Sequence, residues 1–178
     1  MADEITDPRS GQRVAFRRTG PALLEVDLFV SRGAFVREHF HPSQEETFEC
    51  VTGTFVLEVG GERRTLRPGE SVTIRPRTPH GFGAAAEDAH LHVTVRPGLE
   101  LDRYFRAFLG LSRDGRLTIP PKGIPRPVLL FAALMHRYRR EMAVPRIPLW
   151  LQRPLIAALA LVGRVLGRRA SFPEYGSY

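Results

Sequence analysis

The sequence predicts a mostly β domain followed by about three α-helices. Three observations carry this expectation. Residues 14–98 contain short apolar runs, several with strict alternation, as where Phe55, Leu57 and Val59 are interleaved with Val56 and Glu58. Glycine and proline break these runs at close intervals, at Gly20-Pro21, Gly33, Gly53, Gly60-Gly61, Gly69 and Pro97. From Leu99 onward the apolar residues recur at helical spacing instead.

Taken in order, residues 1–13 are polar and acidic, and no element is expected there. The segments 14–20 and 22–40 read as strands, and 47–66 as a hairpin with its neighbour, turning at Gly53 and Gly60-Gly61. Residues 71–76 are the next strand, 81–89 a loop or loosely extended section, and 90–96 the last strand. Many short strands of this kind argue for a β-sandwich or a jelly roll. In residues 99–116, Leu101, Tyr104, Phe105, Phe108 and Leu109 mark an amphipathic helix ending near Gly110. Residues 118–127, with four prolines, form an irregular connector, and 128–142 a second helix, apolar first and basic later. Residues 148–172 make the third, which Pro154 starts or kinks. Its uninterrupted apolar run, 154–163, is about half the roughly twenty residues of a membrane span. Leu155, Leu159, Val162 and Leu166 form its stripe, with Arg153, Arg164, Arg168 and Arg169 as the polar complement. The domain plan is therefore 1–19 as an N-terminal segment with the first strand, 20–98 as the β barrel, and 99–178 as a helical extension.

Charge divides along the same line. The whole chain is +7, but residues 1–99 carry 12 basic and 14 acidic side chains, and residues 100–178 carry 14 and 5. The basic tail is expected to pack on the barrel or a partner subunit, with peripheral membrane contact through 148–169 as the alternative. A lid over the barrel mouth is a third reading. No nucleic-acid-reading module accompanies the arginines, so no nucleic-acid partner is expected. The start lacks the apolar core of a secretory signal, and the single Cys50 leaves no internal disulfide, which together predict a cytoplasmic protein with a buried, inert thiol.

The chemistry concentrates in Gly33–Gly53. His39 and His41 are two apart, which on a strand puts both imidazoles on one face. Pro42 suits a bend that returns Glu46 to the same point, and His80 follows a strand and two prolines. Three imidazoles and a carboxylate make a nitrogen and oxygen set for one divalent transition metal, Fe, Mn, Ni, Co, Cu or Zn, rather than Ca or Mg. Arg37 shares strand parity with His39 and is a candidate clamp for a substrate carboxylate. His92 lies on a strand face with His90, opposite Leu91, Val93 and Val95, and is a candidate for contact with substrate or with the ligands.

The spacing Gly33, five residues, His39-x-His41, four residues, Glu46, six residues, Gly53 resembles the first motif of the cupin superfamily in full. Gly69 and Pro79-His80 resemble the second motif, in which Arg75 and Arg77 replace the usual proline and glycine and Ala84 replaces the frequent asparagine. The resemblance spans roughly residues 20–98. It selects the jelly-roll barrel, a double-stranded β-helix, over other sandwiches, and it implies His39, His41, Glu46 and His80 as metal ligands and a homodimer. Cupins with this ligand set include dioxygenases, oxidative decarboxylases, isomerases and non-catalytic binders, so the fold does not choose the reaction. The leading expectation is a metalloenzyme of oxygenase or isomerase type acting on a chelating oxygenated small molecule. The alternative is a non-catalytic binder whose tail docks to a protein or membrane.

Overall fold

The computed structural model describes residues 3–84, 87–120, 122–167 and 172–176. Among these described residues, ten strands form two antiparallel sheets: β1 (Glu4–Asp7), β2 (Gln12–Arg18), β3 (Leu24–Val30), β4 (Phe35–His39), β5 (Glu45–Thr52), β6 (Phe55–Val59), β7 (Glu62–Leu66), β8 (Ser71–Ile74), β9 (His80–Ala84) and β10 (Ala89–Arg96). One sheet has the order β1-β2-β3-β10-β5-β8 and the other β4-β9-β6-β7. From β3 to β6, and again from β7 to β10, each successive strand lies in the opposite sheet. The alternation read from the sequence is what lets the two sheets close on each other as a jelly-roll barrel, because each strand sends every second side chain inward. On β10, Leu91, Val93 and Val95 are buried and meet Cys50, Phe48 and Glu46 of β5 across the ladder. Phe48, Phe55 and Phe82 pack as an aromatic trio, with ring centroids 5.1 to 6.1 Å apart. They fill the barrel interior.

Three α-helices follow: α1 (Leu101–Arg113), α2 (Val128–Arg137) and α3 (Leu149–Val165), then a short 3-10 turn at Pro173–Tyr175. Leu101, Tyr104, Leu109 and Leu111 of α1 belong to the same continuous core as the barrel residues, so the extension is built onto the barrel.

Several elements differ from expectation, each for a local reason. The acidic start is not structureless: β1 pairs with β2 because Ile5 reaches the core, while Asp3 forms a two-point ion pair with Arg106 of α1 at 2.7 Å. The 81–89 section is a strand through Ala84, paired on both sides by β4 and β6. α1 runs through Gly110 because the Tyr175 ring packs where a side chain would stand, 2.4 Å from an added Cβ. Here the glycine permits close approach and does not end the helix. Pro154 sits inside α3, which starts at Leu149.

Gly53 turns the chain between β5 and β6 at φ +77°, and a Cβ there would lie 2.1 Å from the Asp88 carbonyl oxygen. Left-handed strain and backbone overlap combine, so Gly53→Ala is expected to lower unfolding stability by about 2 kcal/mol. A urea titration that shifts the midpoint without changing the slope checks this.

Candidate metal centre

The four predicted ligands come from both sheets. His39 ends β4 and His80 opens β9, and the two are direct partners in the antiparallel register. His41 lies two residues past His39, with Phe40 between them held in a bridge to Ala143 of the helical extension. Glu46 points inward from β5 of the six-stranded sheet. One ring nitrogen from each of His39, His41 and His80 lies within 4.8 Å of the others. Glu46 Oε2 is 3.1 Å from His80 Nε2 and 3.5 Å from His41 Nε2. His41, Glu46 and His80 are buried, whereas His39 is partly exposed and marks the open side.

The tautomers follow from the backbone. His39 Nδ1 is 2.9 Å from the Arg37 carbonyl oxygen, His80 Nδ1 is 2.9 Å from that of Thr78, and His41 Nδ1 is 2.5 Å from that of Glu141. A carbonyl can only accept, so each Nδ1 carries a proton and donates it, and in the neutral ring Nε2 keeps its lone pair. His80 Nε2 and Glu46 Oε2 are then two buried acceptors facing each other, and neither has a hydrogen-bond partner. A buried acceptor pair of this kind is costly unless a cation or proton lies between them. The residues present therefore fit a divalent metal held by nitrogen and oxygen donors.

The electrostatics agree. Burial, then the neighbouring imidazoles of His80 and His41, pushes His39 down to about 3, so its ring is neutral and ready to donate its lone pair. Burial opposes charge on His41, but the Glu46 carboxylate outweighs it and raises the imidazole above 6.5. Burial likewise opposes ionisation of Glu46, and the adjacent His41 and His80 rings override it, holding the carboxyl well below its usual range. An entering cation therefore competes with protons for His41, whose ordinary value of 6.5 is shifted upward. Metal affinity is expected to go on rising with pH past that value, and calorimetry in buffers of differing ionisation enthalpy should register proton release on binding.

The structure does not bring the two remaining candidates to this point. Arg37 is exposed and donates to the Gly123 carbonyl at 2.8 Å, because the β4–β9 register shifts between Val36 and His39 and breaks the parity on which the expectation rests. His92 stands on the outer face of the six-stranded sheet, with Nδ1 3.6 Å from Asp27 Oδ1, while the inner face of β10 is apolar. Asp27 there is buried. Burial works against its charge, and His90 and Arg17 outweigh that and keep its carboxyl below the ordinary value. Cys50 is buried, with a thiol raised by burial first and Glu70 second, in keeping with an inert core residue.

Sequence reasoning missed Glu141. Its carbonyl orients His41 from 100 positions along the chain, and its side chain accepts a hydrogen bond from Gln44 Nε2 at 3.1 Å. Burial pushes that carboxyl up to about 7. No spacing signal marks it, since it lies among arginines in the basic tail. The segment it belongs to is fixed by paired hydrogen bonds between Phe40 and Ala143 at 3.1 and 2.9 Å. It is fixed again by Gln152 of α3, whose side chain bonds the backbone of Val144 and Ile147. The extension thus supplies part of the scaffold of the candidate metal centre.

The family model described as the cupin domain matches residues 29–95, a span that includes all four ligand candidates. No curated protein matches the chain. Among solved structures, the chain is similar to KdgF from Halomonas sp. at 28% identity, covering 52% of this chain and 84% of that one, with a TM-score of 0.49. It is similar to an RmlC-like cupin from Shewanella frigidimarina at 24% identity, with 52% and 82% coverage and a TM-score of 0.49. It is also similar to the Streptomyces nucleoside dehydratase Pac13 at 23% identity, with 54% and 76% coverage and a TM-score of 0.45. The motif spacing and the two facing sheets coincide with the span, residues 29–95, over which this chain matches the cupin-domain model.

Proposed function

We propose that the cupin domain binds one divalent transition metal through His39, His41, Glu46 and His80 and acts as a small-molecule metalloenzyme. The observation that carries this reading is the pair of unpartnered buried acceptors, Glu46 Oε2 and His80 Nε2, 3.1 Å apart. When bound, such an ion polarises an oxygen of a chelating substrate or brings it together with O2. The chain's own part is to hold three imidazole lone pairs and one carboxylate on a common point, with the tautomer of each histidine fixed by a backbone carbonyl. The substrate class is an organic molecule with a vicinal oxygen pair, such as a diol, enol or hydroxy acid. It approaches from the His39 side, where the cluster is partly exposed. The aromatic trio of Phe48, Phe55 and Phe82 makes the interior water-poor, which strengthens charge interactions at the ion.

Within the cluster, no carboxylate other than Glu46 touches the histidine ring nitrogens among the described residues, which suits Lewis-acid or oxygen chemistry better than hydrolysis by a dedicated base. The test is turnover or O2 uptake with a panel of diols, enols and hydroxy acids, using metal-loaded protein. Activity lost on metal removal and in His41→Ala supports the enzyme. Metal-loaded protein that binds these compounds and converts none supports a non-catalytic binder. The homodimer implied by the resemblance belongs to this proposal, and a monomer mass in light scattering at micromolar concentration counts against it.

A further inference from the structure

α3 has two apolar sides. Gln152, Ala160 and Gly163 are its buried positions, and α2 is the helix packed against it. The other side carries Trp150, Leu151, Leu155, Val162, Val165 and Leu166, all between 47% and 77% exposed. Leu151, Leu155, Ala158, Val162 and Val165 follow spacings of four, three, four and three, so they form one continuous stripe along about 21 Å of helix. The expectation that Leu155, Val162 and Leu166 are the packing stripe is therefore corrected: they face out, because small residues and Gln152 allow α2 to approach on the opposite side. An exposed apolar stripe of this length is not an ordinary soluble surface.

We propose that this outer face of α3 docks flat on an anionic lipid bilayer. Charge selects the occupant. From Met142 to Pro173 the chain has no carboxylate and five arginines, at 146, 153, 164, 168 and 169, the last two outside the described residues. Arg153 and Arg164 are exposed and share one shoulder of the helix, roughly 100° round the axis from the edge of the stripe, where their long side chains supply attraction to lipid phosphates while the leucines and valines enter the acyl boundary. Trp150, 76% exposed near the helix start, is the residue type that settles at the bilayer interface. A second copy is the poorer occupant, since pairing α3 with α3 brings together two segments that each carry only positive charge, with no acidic residue in either to answer it. Among the described residues no helix is long and apolar enough to cross a membrane, so the contact is peripheral. It does not depend on metal.

Trp150 is the only tryptophan, so its emission reports this face directly. Full-length protein is mixed with phosphatidylglycerol–phosphatidylcholine vesicles and, separately, with phosphatidylcholine vesicles. The expected result is a blue shift and co-sedimentation with the anionic vesicles, weakened by high salt. Leu155→Gln combined with Val162→Gln should lower partitioning about tenfold or more, without changing the melting temperature, because both side chains are already exposed. Unchanged emission with protein left in the supernatant overturns the proposal, as does equal partitioning onto phosphatidylcholine. A vesicle-independent blue shift that grows with protein concentration and accompanies a doubled mass also overturns it, by showing that a second copy covers the stripe.

Discussion

His80→Ala is expected to lower affinity for a divalent transition metal by more than about a hundredfold. Outer partners of metal ligands alone are worth 10–100-fold, and His80 is proposed as a ligand itself, with a buried Nε2 aimed at Glu46. The same substitution takes away one of the two facing acceptors, so the metal-free variant should melt near the metal-free parent despite the space left behind. Metal titration by calorimetry, beside a thermal melt of both metal-free proteins, separates loss of the site from loss of the fold. Glu46→Gln is the companion variant: it keeps the shape, removes the charge and should weaken binding in the same direction. His92→Ala, on the outer sheet face, should leave the affinity unchanged.

The second large effect lies outside the matched domain. Ala143→Pro removes the N–H that donates to the Phe40 carbonyl at 2.9 Å, and with it half of the bridge that seats residues 141–143 against the strand end. His41 then loses the carbonyl that fixes its tautomer, and metal affinity is expected to fall about ten- to a hundredfold. Glu141→Gln provides the contrast. It alters the side chain but keeps the backbone carbonyl, so the affinity should change little. If the two variants behaved alike, the extension would not be orienting His41.

The first motif was legible because its parts are close in sequence. His39, His41 and Glu46 fall within eight residues, and strand alternation with one bend at Pro42 suffices to aim them together. His80 was legible through the second motif, although Arg77 stands where glycine is usual. The structure shows how that departure is tolerated: Arg77 takes the left-handed conformation at φ 66°, and its N–H donates to the His41 carbonyl at 2.8 Å. The turn survives its unusual residue because it is tied to the site. What could not be read depends on contacts distant in the chain. Glu141 reaches His41 across 100 positions, and Gly110 answers to Tyr175 near the other end of the extension. The parity that suggested Arg37 failed at a register shift, which composition and spacing do not encode. The α3 stripe had the right periodicity but the wrong side, because apolar residues surround most of that helix and periodicity alone cannot say which face α2 takes.

The most direct measurement is X-ray absorption at the metal edge on protein loaded with one equivalent of a divalent transition metal and dialysed free of excess. The ion should be retained at one per chain, in a shell containing three imidazole nitrogens and a carboxylate oxygen, and lost from His80→Ala. An ion that dialyses away, or one whose shell lacks imidazole, would mean that Glu46 and His80 share only a proton and that the barrel holds no metal centre.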